Sequence, residues 1–191
     1  MRVEQLHVSH FPEYYASDME SITRSENVLF VVGVKNSGKT TLIEKLTAEL
    51  SARGYRVGTV KHHHSGSPLE VDREGKDSWR HRKAGAEAVA LVSPSEVAVM
   101  KNTNGPASFE QTLGFLTGLD IVLVEGFSSE PGPRIEVGGI FKESPPQQQG
   151  DAHVVARVSR EKLPGEIPCF TLNETGPLVE LIEAQILRRQ R

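Results

Sequence analysis

The chain has 191 residues, a formal net charge of −3, 25% charged residues and 37% hydrophobic residues, which is typical of an ordinary soluble globular protein. Its single cysteine, Cys169, excludes an intrachain disulfide framework and provides no cysteine cluster for structural zinc. The charge balance gives no electrostatic reason to expect a nucleic-acid or anionic-membrane partner.

Residues 1–27 show no clear periodicity, and they lack the basic start and apolar run of a secretory signal. The sequence contains no uncharged apolar stretch that could span a bilayer. We therefore expect a cytoplasmic protein. We also expect residues 1–27 to be an N-terminal extension of unknown role, followed by a nucleotide-binding domain in residues 28–191.

The nucleotide-binding prediction comes from a strand, a loop and a helix in immediate succession. The apolar run Val28–Val32 leads into the glycine-rich loop Gly33–Thr40, and apolar residues then follow at helical spacing. This is the order of a P-loop, in which backbone N–H groups and a helix N-terminus bind phosphate. Lys39 would reach the β- and γ-phosphates, and the Thr40 hydroxyl would bind Mg²⁺. The predicted nucleotide contacts are Gly33, Asn36, Ser37, Gly38, Lys39, Thr40 and Thr41.

The remaining pattern predicts an alternation of strands and helices. The helix after the P-loop should end at Gly54, and strands are predicted at 55–61, 88–92, 97–100, 120–124, 134–137, 153–158 and 167–171. Short helices are predicted at 77–82 and 108–117, the second with a capping box of Ser108 and Gln111, and a final helix carries Leu178, Leu181, Ile182 and Leu187. Residues 144–150 should be an exposed connection. The alternation predicts a doubly wound, mainly parallel α/β sheet of the P-loop NTPase type, with ligands at the carboxyl ends of the strands.

Two carboxylates are candidates for the acidic half of a magnesium site. Glu125 follows the apolar strand at 120–124 and has the placement of a Walker B acid, although a solvated glutamate at a strand end is the alternative. Asp72 lies in a long polar loop, where it would either bind the metal or remain a solvated aspartate. We predict Lys39, Glu125 and Asp72 as catalytic residues and Thr40, Glu125 and Asp72 as metal ligands.

A polar, glycine- and proline-containing loop at 62–76 is long for a compact domain, which favours a functional role. It begins with His62, His63 and His64, whose consecutive spacing does not suit a helical metal pair. Hydrogen bonding to an anionic ligand is therefore preferred. A basic cluster follows at Lys76, Arg80, His81, Arg82 and Lys83, which is either a solvated helix face or a phosphate contact. We predict that His62, Arg80 and Arg82 contact an anionic substrate or partner.

The choice of nucleobase does not follow from the motifs. The segment after the strand at 153–158 reads Ser159-Arg160-Glu161-Lys162 and not the Asn-Lys-x-Asp motif that reads guanine in regulatory GTPases.

Four segments together resemble the molybdopterin-guanine dinucleotide biosynthesis protein B (MobB) family. They are the P-loop at 33–42, the Val-Lys-His-His-His run at 60–64, the segment Asp72–Ala86 and the strand end at 122–127. The resemblance implies GTP and Mg²⁺ as cofactors, weak GTP hydrolysis and an accessory role in attaching GMP to molybdopterin. It also implies a homodimer that works with the molybdopterin guanylyltransferase, and the molybdenum-insertion protein is a further candidate partner.

Two other functions remain open from the residues alone. One is a P-loop kinase whose basic helix at 80–83 binds a small anionic acceptor. The other is a nucleotide-gated interaction module in which the loop around Asp72 changes conformation and hydrolysis hardly matters. We find no obvious arginine finger or water-positioning residue in the sequence, so slow turnover is expected.

Overall fold

A computed structural model describes residues 28–63, 69, 71–103, 105–138 and 153–187. The described residues of Met1–His62 and Thr112–Arg191 form one compact unit, and those of His63–Gln111 form a second. The extension predicted at 1–27, the connection predicted at 144–150 and His64 lie outside the described residues.

The strands form two separate sheets. In chain order they are β1 (Val28–Val32), β2 (Val57–Lys61), β3 (Ala88–Val92), β4 (Val97–Lys101), β5 (Ile121–Glu125), β6 (Pro133–Val137), β7 (His153–Ser159) and β8 (Cys169–Thr171). Six of them make one sheet in the order β2-β5-β1-β6-β7-β8, and all neighbouring pairs in it are parallel. The predicted mainly parallel α/β fold is confirmed.

In the described part of the chain, four helices accompany the strands: α1 (Lys39–Ala52), α2 (Asp77–Lys83), α3 (Phe109–Leu113) and α4 (Thr175–Ile182), with a π-helical turn at Glu183–Leu187 after α4. The capping box at the start of α3 is confirmed, because Ser108 and Gln111 exchange two backbone-to-side-chain hydrogen bonds of 3.1 Å. The predicted extension of α3 to residue 117 is wrong. The N–H groups of Phe115 and Leu116 donate to carbonyls three residues back, so the chain tightens into turns there.

Two strand starts differ from the prediction by two residues. β2 begins at Val57 rather than at 55, because the N–H of Tyr55 donates to the Leu50 carbonyl and still closes the end of α1. β8 begins at Cys169 rather than at 167. Pro168 precedes it and has no N–H to contribute to the strand ladder.

The core of the first unit lies between the six-stranded sheet and two helices, α1 and α4. The near-continuous apolar runs of β1 and β5 are buried, as is expected for central parallel strands. The fully or almost fully buried side chains include Leu29, Val31, Leu42, Leu46, Leu50, Ile121, Leu123, Leu178 and Ile182. Burial of one such side chain stabilises the fold by about 1.5–3 kcal/mol. The core therefore fixes β1, α1 and β5, the three elements that carry the P-loop and Glu125.

The order of the sheet determines where a ligand would bind. β1 lies between β5 and β6, so the loops that follow these three strands meet at one edge of the sheet. In open α/β sheets, ligands bind outside the carboxyl ends of the strands at such a point.

The second unit contains α2 and an antiparallel hairpin of β3 and β4. Val89 of β3 is its buried apolar residue. The opposite face of the hairpin carries the cross-strand pairs Ala90–Val99 and Val92–Val97, which are exposed. An isolated two-stranded sheet is marginally stable in water, and an exposed apolar face of this kind favours association.

Candidate functional site

The P-loop packs against the end of β6. A Cβ atom placed on Gly33 would lie 2.1 Å from the carbonyl oxygen of Val137, so only glycine allows this approach. The side-chain oxygen of Ser37, also in the loop, is buried and has no hydrogen-bond partner among the described residues. A buried hydroxyl without a partner costs free energy unless a ligand or water accepts its proton. The loop is therefore closely held and offers a donor to an anion.

The N-terminus of α1 strengthens the same site. Gly38 precedes this 14-residue helix, which has no side-chain cap hydrogen bond and no acidic residue in its first turn. The first N–H groups of a helix have no partner within the helix, and the helix dipole favours an anion beside them. Among the described residues, no side chain caps this helix end by a hydrogen bond, so the geometry is that of a phosphate site.

Lys39 bridges the two ends of the loop. Its ammonium donates to the carbonyl oxygens of Gly33, at 2.9 Å, and Val34, at 2.7 Å. A lysine ammonium has three protons, so a further donor remains for a phosphate oxygen. The structure thus places the positive charge of Lys39 on the loop, and its predicted contact with the β- and γ-phosphates stays a prediction.

Thr40 and Glu125 lie together although 85 residues separate them in the chain. The Thr40 hydroxyl donates to Oε2 of Glu125 over 2.9 Å, and the Glu125 side chain is only 14% exposed. Hydroxyl and carboxylate oxygens are the ligands that Mg²⁺ prefers, and Mg²⁺ usually completes its shell with waters and nucleotide phosphates. This oxygen pair fits such a metal.

A third residue, Lys61, belongs to the same cluster and was not among the predicted site residues. Its ammonium lies 3.3 Å from Oε2 of Glu125 and 3.5 Å from the Thr40 hydroxyl oxygen. Lys61 ends β2, and the parallel register of β2 with β5 pairs it with Glu125. In the sequence, both Lys61 and Glu125 lie at the ends of predicted strands. The sequence does not show that these two strands are neighbours, so the contact between the two side chains could not be predicted from it.

The turn after β5 is fixed by His62. Gly126 has a φ of 101°, and a Cβ atom placed on it would lie 2.8 Å from Cβ of His62. Phe127 has a φ of 51°, unusual for a non-glycine residue, and its ring stacks on the His62 ring with centroids 4.4 Å apart. The His62 N–H also donates to the Glu125 carbonyl over 2.9 Å. These contacts give His62 a positioning role beside Glu125, and its predicted contact with an anion stays a prediction.

Arg134 of β6 braces the same turn. Its guanidinium donates to the carbonyls of Ser128, at 3.1 Å, and Glu130, at 2.7 Å. Burial lowers the pKa of Arg134 from its usual value, with Glu136 acting in the opposite direction. Arginine nevertheless keeps its charge at every physiological pH. Carbonyl groups of the turn are thereby bound to β6, which keeps the end of β5 in place.

The other predicted site residues lie in the second unit. The Asp72 side chain is 7% exposed, and its Oδ1 accepts a hydrogen bond of 2.9 Å from Ser78. Its Oδ2 lies 3.9 Å from Nη1 of Arg82, and the same nitrogen donates to the Met100 sulfur. Asp72 and Arg82 therefore have packing roles within their own unit. Their predicted roles towards a metal and an anion remain predictions.

Arg80 and Lys83 of α2 are arranged differently. Arg80 is 70% exposed and lies 3.7 Å from the exposed carboxylate of Asp77, a pair that contributes little to stability. Lys83 lies over the ring of Trp79, with 5.4 Å between its Nζ and the ring centroid. Arg80 consequently remains accessible to an anionic group of a partner.

The described residues contain no group of three or more histidine, cysteine, aspartate or glutamate side chains arranged to hold a metal ion. A site made of Thr40, Glu125 and nucleotide oxygens is of a different kind. Within the same part of the chain, no helix is both long and apolar enough to cross a membrane.

Comparison with known proteins adds to this geometry. A family model described as molybdopterin guanine dinucleotide synthesis protein B matches residues 28–160. The chain is 37% identical over 163 residues to a molybdopterin-guanine dinucleotide biosynthesis adapter protein of Haemophilus influenzae, covering 82% of this chain and 87% of that protein. It is 35% identical over 156 residues to the adapter protein of Escherichia coli, covering 76% and 85%.

Solved structures agree with this match. The crystal structure of a MobB protein homolog from Bacillus stearothermophilus superposes with a TM-score of 0.62 at 29% identity, over 86% of this chain and 99% of that one. The structure of Bacillus subtilis MobB gives a TM-score of 0.65 at 27% identity, over 84% and 98%.

Proposed function

Since the chain belongs to the MobB family, we propose that it is a GTP-binding adapter of molybdenum cofactor biosynthesis, which assists the attachment of GMP to molybdopterin. The observation that carries the nucleotide part of this proposal is the assembly of Lys39, Thr40 and Glu125 at the carboxyl edge of one sheet. The family membership carries the biosynthetic part.

The predicted nucleotide contacts of the P-loop have different tasks in this function. The loop from Gly33 to Gly38, with Asn36 and Ser37, surrounds the phosphates with N–H and hydroxyl donors, and Thr41 continues the contact on α1. Lys39 neutralises charge on the β- and γ-phosphates. To reach them, its ammonium gives up part of its hydrogen bonding to the carbonyls of Gly33 and Val34. The core behind β1 and α1 holds these donors in place before the nucleotide arrives.

Thr40 and Glu125 would hold Mg²⁺, and Asp72 is proposed as a third contributor. Bound there, the ion would supply positive charge that neutralises the phosphates of the nucleotide. The chain's own contribution to hydrolysis is positioning and charge stabilisation on the γ-phosphate. We therefore propose only a weak GTPase activity, with Lys39, Glu125 and Asp72 as its catalytic residues.

The proposed partners are the molybdopterin guanylyltransferase and the molybdenum-insertion protein, with molybdopterin as the cofactor under construction. The word adapter in the names of the relatives supports such contacts. Arg80 and Arg82 on α2, together with His62, are the groups we assign to an anion of the substrate or partner. A cytoplasmic location belongs to the same proposal.

Replacement of Glu125 tests the metal site. A Glu125→Gln protein keeps a hydrogen-bond acceptor for Thr40 but loses the negative charge, so the extra affinity for GTP given by Mg²⁺ should fall about 10- to 100-fold. The measurement is calorimetric titration with GTP in the presence of Mg²⁺ and of a chelator. Glu130→Gln, five residues further along the same turn, is the matched control and should behave like the wild type. A Glu125→Gln protein with an unchanged response to Mg²⁺ would contradict the assignment.

The homodimer is proposed to form through the exposed face of the β3–β4 hairpin. Val92 is 76% exposed, Val97 67% and Val99 56%, and a second copy of the chain could cover them with the same apolar face. A protein with Val97→Lys and Val99→Lys should therefore sediment as a monomer, whereas the wild type should sediment as a dimer. Val71→Lys, at another exposed valine of the same unit, should leave the dimer intact. A wild-type protein that is monomeric at micromolar concentration would contradict the homodimer.

A further inference from the structure

The ammonium group of Lys61 lies beside the two groups that we assign to the metal. Its Nζ is 3.3 Å from Oε2 of Glu125 and 3.5 Å from the hydroxyl oxygen of Thr40. The hydrogen bond between Thr40 and Glu125 closes this triangle at 2.9 Å. A positive charge of the protein therefore lies against the carboxylate that a divalent cation would need.

The fold produces this contact by strand register. β2 is the edge strand beside β5, and the parallel pairing places Lys61 opposite Glu125. The side chains of β2 alternate, with Val60 buried and Lys61 exposed. The Lys61 side chain therefore extends from the strand end while remaining 62% exposed, and the Glu125 carboxylate is only 14% exposed.

The difference in exposure matters for the energy of the cluster. A carboxylate that has lost most of its water is unfavourable unless a positive charge or hydrogen bonds compensate. Lys61 provides that charge from a flexible side chain that is free to withdraw into solvent at small cost. A divalent cation at Glu125 and an ammonium at 3.3 Å from the same oxygen would repel each other.

We propose that Lys61 is a built-in competitor of Mg²⁺, which keeps the affinity of the nucleotide-free protein for the metal low. This inference rests on the proposed function in placing the metal between Thr40 and Glu125. A bound nucleotide makes it favourable for the metal to displace the Lys61 ammonium from Glu125. The phosphate oxygens are further ligands for the metal, and they are also an alternative anionic partner for the ammonium. The metal then binds together with the nucleotide and not before it.

The test measures Mn²⁺ binding to the nucleotide-free protein by electron paramagnetic resonance, with Mn²⁺ as the probe for Mg²⁺. Lys61→Gln removes the charge and nearly preserves the length of the side chain. It should tighten Mn²⁺ binding about three- to tenfold relative to the wild type. Lys61→Arg keeps the charge and should bind Mn²⁺ as weakly as the wild type. Thermal unfolding of each variant verifies that it is folded.

Two further variants separate the site from a general charge effect. Arg160→Gln removes one exposed positive charge four strands away, about 19 Å from Lys61 along the sheet, and should leave Mn²⁺ affinity unchanged. The double variant Lys61→Gln with Glu125→Gln should lose the gain in affinity. Equal Mn²⁺ binding by the wild type and Lys61→Gln would overturn the proposal, and so would an equal gain in Lys61→Arg. Calorimetric titration with GTP and Mg²⁺ tests the proposed function separately. If the wild-type protein does not bind GTP, the proposed function is wrong, whatever the effect of Lys61 on Mn²⁺ binding to the nucleotide-free protein.

Discussion

A Lys39→Ala protein is expected to bind GTP·Mg²⁺ about 10- to 150-fold more weakly than the wild type. Lys39 is the P-loop residue whose ammonium is held on the loop, by bonds of 2.9 and 2.7 Å to the carbonyls of Gly33 and Val34. A hydrogen bond to a charged group is worth about 1.5–3 kcal/mol, which gives this range of affinities. The loss of the two loop bonds adds disorder to the loop itself. Calorimetric titration gives the affinity directly.

The matched control is Lys35→Ala. Lys35 has the same charge and lies four residues earlier in the same loop, with an exposed side chain. Its removal tests the general electrostatic attraction of the loop for phosphate, and we expect a much smaller loss of affinity. A Lys39→Ala protein that bound GTP·Mg²⁺ as tightly as the wild type would remove the basis for assigning this loop to the nucleotide.

A Gly33→Ala protein is expected to be less stable by about 2 kcal/mol or more and to bind nucleotide poorly. The added methyl group would stand 2.1 Å from the backbone oxygen of Val137, and a backbone atom cannot move aside as a flexible side chain can. Either the loop moves away from the end of β6, or β1 and β6 separate. Both changes displace the donors that surround the phosphates. Chemical denaturation gives the loss of stability, and titration with GTP gives the loss of binding.

Gly138→Ala is the control for this prediction, because Gly138 directly follows Val137. A Cβ atom placed on Gly138 would meet no heavy atom of the described residues within 4 Å. Its substitution should change the free energy of unfolding by no more than about 0.5 kcal/mol. Similar stability of the Gly33→Ala and Gly138→Ala proteins would show that the approach of the P-loop to β6 is less close than described.

The fold and the phosphate loop were predictable because their signals are local. The apolar runs of β1 and β5 identify buried parallel strands without reference to any other part of the chain. The P-loop is a contiguous motif whose geometry follows from its own glycines and from the helix behind it. The placement of Glu125 was predictable for a similar reason, because an acid at the end of a buried strand lies at the ligand edge of the sheet.

The position of Lys61 beside Glu125 was not predictable, because it depends on which strand lies beside β5. Alternation of side chains shows that Lys61 faces away from Val60, but only the order of the strands places it against Glu125. The same holds for the stacking of His62 on Phe127, which joins residues from two strand ends. The packing of Asp72 against Ser78 could not be predicted from the sequence either, since the composition of a polar loop does not show which of its carboxylates is buried.

The central claim, that this member of the MobB family is a GTP-binding adapter, is tested most directly by comparing two nucleotides. Purified protein is titrated calorimetrically with GTP and with ATP, each in the presence of Mg²⁺. A clear preference for GTP is the result that our account predicts. A preference for ATP, or binding of neither nucleotide, would contradict it, and the first of these outcomes would favour a kinase that uses the same P-loop.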